Sequence, residues 1–61
     1  MADEQTITYY KKWKHEKNRG NDLGKSNYVA NCNVELARLE TAYPELAGLN
    51  CNCGQYSGCT G

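Results

Sequence analysis

Apolar residues recur at helical spacing in the first third of the chain. At 100° per residue, the apolar side chains of residues 3–19 fall within an arc of about 160°, which makes one broad apolar face. That face consists of Ile7, Tyr9, Tyr10 and Trp13. Asp3 or Thr6 can cap the start of this helix, and Gly20 is typical of the position just past a helix end. We therefore predict a first helix over about residues 3–19.

A second helix is predicted over about residues 27–42. Its apolar positions span about 100° of arc, the pattern of a helix that packs on one side. These positions are Tyr28, Val29, Cys32, Leu36, Leu39 and Tyr43. Ser26 is a favourable N-cap, and Pro44 disfavours helix at the residue before it. Residues 20–25 predict a turn from their Gly, Asn and Asp content. Residues 44–49 predict one short helical turn, with Leu46 and Leu49 folding back on the apolar stripe of the second helix.

The last segment, residues 50–61, has almost no apolar side chains but contains three of the four cysteines. Hydrophobic packing cannot hold such a segment in one conformation, so sulfur chemistry is the expected source of any order. A chain of 61 residues also buries only a small core. We therefore predict one small, mainly α domain over residues 1–61, with two helices and an irregular Cys-rich tail stapled by metal or disulfides.

The cysteines allow a metal site, either of two disulfide patterns, or free or chemically modified thiols. A disulfide between Cys51 and Cys53 is excluded because it would close a very small ring. The two remaining patterns are Cys32–Cys51 with Cys53–Cys59, and Cys32–Cys53 with Cys51–Cys59. Structural zinc is worth about 10–16 kcal/mol in small peptides, against about 3 kcal/mol per disulfide. We predict zinc on Cys32, Cys51, Cys53 and Cys59. Cys32 could equally be a small core residue of the second helix, and His15 is the alternative fourth ligand.

The pattern Cys51-x-Cys53-Gly54-x4-Cys59-x-Gly61 resembles the zinc-binding segment that follows many SET-domain lysine methyltransferases. That segment has the form Cys-x-Cys-x4-Cys, and its zinc takes a fourth cysteine from elsewhere in the fold. The resemblance covers about eleven residues and implies that Cys32 would be the fourth ligand here. This chain has five residues between the last two cysteines and no SET domain, so the resemblance implies zinc binding and no methyltransferase activity.

A formal charge of zero hides one basic segment. Residues 11–25 carry six cations against two anions, a local charge of +4. Within residues 9–25 the cations alternate with aromatic rings, as on surfaces that bind single-stranded nucleic acid. The candidate surface for nucleic acid or a protein partner is Lys11, Lys12, Lys14, Lys17 and Arg19. The other interpretation is a helix whose rings are core and whose lysines are its solvated face.

Catalysis is not expected. The sequence has no Gly-rich phosphate loop, no clustered carboxylates and a single histidine that could activate a thiolate. Residues 1–5 lack the basic start and apolar run of a signal peptide, and no stretch has transmembrane length. We therefore expect a cytoplasmic protein without membrane contact, in a compartment where clustered cysteines bind metal more often than they pair.

Three functions fit the sequence. The first is a cysteine-stapled, zinc-binding module that acts as a binding or structural accessory of a larger partner or assembly. The second is a precursor peptide of a ribosomally made, modified product, with residues 1–49 as leader and residues 50–61 as the Cys/Ser/Thr-rich core. The third is a secreted, disulfide-rich miniprotein.

Overall fold

The computed structural model describes residues 2–59. It contains helix α1 (Glu4–Asp22) and helix α2 (Ser26–Ala42), followed by a single 3-10 turn (Pro44–Leu46). The remaining described residues, 47–59, are irregular. The predicted fold class, a small and mainly helical chain with a Cys-rich C-terminal segment, is confirmed. Within the described part, neither helix is both long and apolar enough to cross a membrane.

The start of α1 follows the sequence expectation. The Asp3 carboxylate accepts a hydrogen bond from the Thr6 backbone N–H at 2.7 Å. This contact with Thr6 lowers the pKa of Asp3, and Glu4 adds a second negative charge at the positive end of the helix dipole.

The end of α1 corrects one prediction, because Gly20 does not stop the helix. Gly20 is buried where α1 meets α2, and a Cβ atom there would lie 2.9 Å from Val29 Cγ2 and 3.0 Å from Tyr28 Cδ2. The missing side chain therefore lets the two helices approach closely. The terminating glycine is Gly24, whose φ of 71° is the left-handed conformation that ends many helices.

Paired hydrogen bonds close this helix end. The Lys25 N–H donates to the Gly20 carbonyl at 2.9 Å, and the Gly24 N–H donates to the Asn21 carbonyl at 3.2 Å, which is the Schellman arrangement. Helix α2 then starts immediately. Ser26 is its first residue rather than its N-cap, and the actual cap residue, Lys25, makes no side-chain capping hydrogen bond.

The hydrophobic core lies between both helices and the 3-10 turn. Its buried centre is Tyr10, Leu36 and Leu46. Partly buried side chains surround this centre: Ala2, Ile7, Trp13, Leu39, Tyr43 and Leu49. The predicted return of Leu46 onto the α2 stripe is thus confirmed. The Tyr10 hydroxyl donates to Glu40 Oε2 at 2.9 Å, and burial together with this contact raises the pKa of Tyr10 to about 12.

Two aromatic residues predicted to face the core lie at its edge instead. Tyr9 is 43% exposed and packs edge-on against Trp13, with ring centroids 6.0 Å apart. Tyr28 is 37% exposed, and its hydroxyl donates to Glu16 Oε2 at 2.7 Å. The core is therefore smaller than the two apolar faces suggested.

We predict that Leu36→Ala lowers the free energy of unfolding by about 2–5 kcal/mol, since it removes a side chain from the centre of this small core. Denaturant unfolding followed by circular dichroism measures the loss. Val34→Ala on the same helix is the matched control, because Val34 is 51% exposed and should change stability by less than about 0.5 kcal/mol. Equal effects of the two substitutions would contradict the assigned core.

Candidate metal centre

Four side chains from distant parts of the chain converge on one point. They are His15 in the middle of α1 and Cys51, Cys53 and Cys59 in the irregular segment. Their potential ligand atoms all lie within 4.8 Å of one another. The sequence places 35 or more residues between His15 and the nearest of these cysteines, so the cluster is a tertiary feature.

The separations within the cluster are those of ligands around a single small ion. His15 Nδ1 lies 3.0 Å from Cys53 Sγ, 3.5 Å from Cys59 Sγ and 3.6 Å from Cys51 Sγ. Cys51 Sγ and Cys53 Sγ are 3.4 Å apart. A tetrahedral zinc ion with bonds of about 2.0–2.3 Å holds its ligand atoms about 3.5–3.8 Å apart. A slight expansion of the cluster would therefore admit the ion.

The backbone between the cysteines turns the three sulfurs inward. Gly54 follows Cys53 with a φ of 71°, a conformation that residues with a side chain rarely adopt. The Gln55 N–H then points at Cys53 Sγ over 3.5 Å. Further on, the Cys59 N–H donates to the Tyr56 carbonyl at 2.9 Å, which closes a turn that brings Cys59 back to the cluster.

Helix α1 also holds this segment through groups other than His15. Asn18 lies three residues after His15 and thus on the same side of the helix, and its Nδ2 donates to Cys59 Sγ at 3.3 Å. Gly58 sits directly against the Asn18 amide, where a Cβ atom would be 2.6 Å from Nδ2 and 2.7 Å from Cγ. The Tyr56 ring packs edge-on against the His15 ring, with centroids 5.3 Å apart.

The thiols of the cluster differ in acidity. Burial, with a hydrogen bond to Cys59, raises the pKa of Cys51 to about 12. Desolvation also opposes ionisation of Cys53, but hydrogen bonds from the Gln55 N–H and the neighbouring thiols outweigh it and lower the pKa of Cys53 to about 6. The cluster therefore favours one thiolate at neutral pH, located on the exposed cysteine. A negative sulfur beside a ring nitrogen is a favourable starting arrangement for a cation.

The structure brings together three of the four predicted ligand cysteines and places His15, rather than Cys32, beside them. Cys32 is fully buried on α2. Burial raises the pKa of its thiol, with Tyr28 and Glu16 as its polar neighbours. All four cysteines are free in the structure. The sequence offered one signal for His15, namely that it lies off the apolar face of α1 and so remains available to the tail.

The five cations of the predicted partner surface are distributed around α1. Lys12 and Arg19 are exposed and seven residues apart, so they point the same way. Lys11, Lys14 and Lys17 are half-buried, and Lys14 Nζ lies 5.8 Å from the centroid of the Tyr10 ring. Arg19 is also 3.8 Å from Glu16. The cations thus lie on two sides of the helix.

No family model, no curated protein and no solved structure matches this chain. The description of the site therefore depends on its own geometry.

We predict that Gly58→Ala loosens the Cys-rich segment from α1, because the added methyl group would occupy the position of the Asn18 amide. Cys59 is fully buried in the wild-type chain, so its rate of reaction with a thiol reagent should rise in the variant. Peptide mapping measures this rate. Ser57→Ala is the matched control, since Ser57 is exposed. If both variants protect Cys59 equally, Gly58 and Asn18 do not fasten the segment.

Proposed function

We propose that this protein is a small zinc-binding module in which His15 Nδ1 and the sulfurs of Cys51, Cys53 and Cys59 hold one Zn²⁺ ion. The observation that carries the proposal is the convergence of these four donor atoms within 4.8 Å. His15 thereby takes the position that the sequence pattern suggested for Cys32.

The chemistry of the donors favours zinc over the alkaline-earth ions. Three thiolates and one imidazole form a typical Cys3His set, whereas Mg²⁺ and Ca²⁺ require oxygen ligands. The protein supplies all four ligands of a tetrahedron, and structural zinc sites are closed in this way. A zinc ion bound here would therefore stabilise the fold rather than activate water.

The position of the cluster supports a structural role. Within residues 50–59, the part of the Cys-rich segment that the structure describes, only Cys51 and Cys59 are buried, so this part has few apolar contacts of its own. A metal bond to His15 would fasten this segment to the middle of α1. Binding energy of a structural zinc ion adds directly to folding energy when the unfolded chain holds no preformed site.

The ligand assignment predicts the outcome of zinc titration with a set of variants. Native mass spectrometry should show one zinc per chain, released on acidification because the thiolates then take up protons. Cys51→Ser and His15→Ala should weaken zinc binding sharply. Cys32→Ala is the matched control, and it should keep zinc bound because Cys32 lies outside the cluster.

Two results would contradict this assignment. Loss of zinc from Cys32→Ala with retention in His15→Ala would restore the all-cysteine ligand set. A wild-type chain that, fully reduced, takes up no zinc would contradict the zinc module altogether.

We further propose that the module acts as an accessory by binding an acidic, leucine-containing segment of a larger protein. Support comes from a groove of about 470 Å³ where α1 turns into α2, lined by Arg19, Gly20, Leu23, Lys25 and Tyr28. Leu23 is 53% exposed there, so its apolar side chain is available for contact with a partner. Arg19 and Lys25 place positive charge beside this apolar surface, and that combination fits acidic and leucine side chains together.

A fluorescent peptide of alternating Glu and Leu is a suitable probe of this groove. We predict salt-sensitive binding, weakened on the order of tenfold when Arg19 and Lys25 are both changed to Glu. Changing Lys12 and Arg38 to Glu is the matched control, since it alters the net charge equally at two exposed cations outside the groove. Fluorescence anisotropy measures the affinity. Equal weakening by both double variants, or no binding at low salt, would refute the groove as the docking site.

A further inference from the structure

The four cysteines differ sharply in their access to solvent. Cys32 and Cys59 are 0% exposed and Cys51 is 8% exposed, whereas Cys53 is exposed. Cys53 Sγ is nevertheless part of the cluster, at 3.0 Å from His15 Nδ1 and 3.4 Å from Cys51 Sγ. One corner of the candidate metal centre therefore faces solvent while two sulfurs are shielded.

We propose that Cys53 is a site of oxidation by peroxides, and that its oxidation opens the metal centre and releases the zinc ion. This inference rests on the zinc-binding function proposed above. It adds a modification site and a chemical class of reactant, a hydroperoxide, to that function. The reason for the selectivity is access, because a peroxide reaches the Cys53 sulfur from solvent and the other three sulfurs only after the fold opens.

The first step is nucleophilic attack by sulfur on oxygen. The Cys53 thiolate attacks one peroxide oxygen, a sulfur–oxygen bond forms, the oxygen–oxygen bond breaks and hydroxide leaves. The sulfur is oxidised by two electrons to a sulfenic acid, and the peroxide is reduced by the same two electrons. A sulfenic acid is a poor ligand for zinc compared with a thiolate, so the centre loses one of its four bonds.

The second step needs another thiolate of the cluster, and Cys59 is the suitable one. Its sulfur lies within the 4.8 Å limit of the group, and five residues separate it from Cys53. Cys51 Sγ is also close to Cys53 Sγ, at 3.4 Å, but the single residue between these two cysteines would give a very small, strained ring. The Cys59 thiolate attacks the sulfenic sulfur, a disulfide forms and a second hydroxide leaves.

Disulfide formation leaves the metal with only two protein ligands. Cys51 and His15 alone do not complete a tetrahedral zinc site, so the ion dissociates. The irregular segment would then be stapled by a covalent bond within itself and would lose its metal bond to α1. Metal and disulfide are thus two redox states of one cluster. Reduction of the disulfide by a thiol regenerates both thiolates and allows zinc to bind again.

The test uses the zinc-loaded wild-type chain. Zinc content is measured first by native mass spectrometry, and hydrogen peroxide is then added at up to one equivalent, with and without a sulfenic-acid trapping reagent. With the trapping reagent, we expect its adduct on Cys53. Without the reagent, we expect a disulfide between Cys53 and Cys59, with one zinc ion released per disulfide. Peptide mapping locates the modified residues. Thiol reductant plus zinc should restore the starting mass.

Two variants sharpen the assignment. Cys59→Ser removes the second thiolate, so the sulfenic acid on Cys53 should persist and the disulfide should not form. Cys32→Ser is the matched control, and it should leave the order of reaction unchanged because Cys32 lies outside the group of converging ligand atoms.

The possible results distinguish a failure of zinc binding from a failure of Cys53 as the oxidation site. A wild-type chain that carries no zinc before peroxide is added would overturn both. Zinc that is bound and then retained while Cys53 is oxidised, or first modification at Cys32, Cys51 or Cys59, would overturn the oxidation site alone. Zinc release with every sulfur unmodified would also overturn it.

Discussion

The arrangement of this protein depends on one constraint, which is that α1 must hold two neighbours of different character. Helix α2 packs on it through apolar contacts, with Tyr10 buried in the core and Gly20 at the point of closest approach. The Cys-rich segment approaches α1 at His15 and Asn18 through polar and sulfur contacts. These two attachments use different residues of α1, namely Tyr10 and Gly20 for α2, and His15 and Asn18 for the Cys-rich segment.

These two attachments differ in what stabilises them. The α1–α2 contact gains from burial of apolar surface, with Leu46 of the 3-10 turn closing the far side of the core. Among the described residues of the Cys-rich segment, 50–59, the buried side chains are those of two cysteines, and the Tyr56 ring packs on the His15 imidazole. Burial of apolar side chains therefore stabilises the packing of α1 on α2 but contributes little to the conformation of residues 50–59. A bond from the sulfurs to a metal ion would supply the missing stabilisation there.

Sequence periodicity predicted the helices because the pattern that forms a helix is local. It misplaced the end of α1 because two glycines, Gly20 and Gly24, are close together and only tertiary packing distinguishes them. Gly20 is required for close contact with Val29, and Gly24 for its positive φ. Nothing in a one-dimensional pattern separates those two uses of glycine. Residues 44–49 were predicted well, since Pro44 and Leu46 act through local turn geometry and one core contact.

The candidate site was less predictable for a related reason. Cys51, Cys53 and Cys59 are close in sequence, so their spacing alone indicated a shared site. The fourth position required knowledge of how the tail returns, and two residues competed for it. Cys32 points into the helical interface, where burial raises the pKa of its thiol, whereas His15 faces the returning segment. The orientation of each side chain around its own helix decided the choice.

The site also offers a reason for the basic segment that does not involve nucleic acid. A Zn²⁺ ion with three thiolates and a neutral imidazole carries a net charge of −1. His15 is preceded on α1 by Lys14 and, one turn earlier, by Lys11, both of them half-buried. Lys11 lies four residues before His15 and so on the same side of α1, where its charge would favour a negative centre. Arg19 lies on the other side of α1, where it is exposed and lines the groove proposed as the docking site.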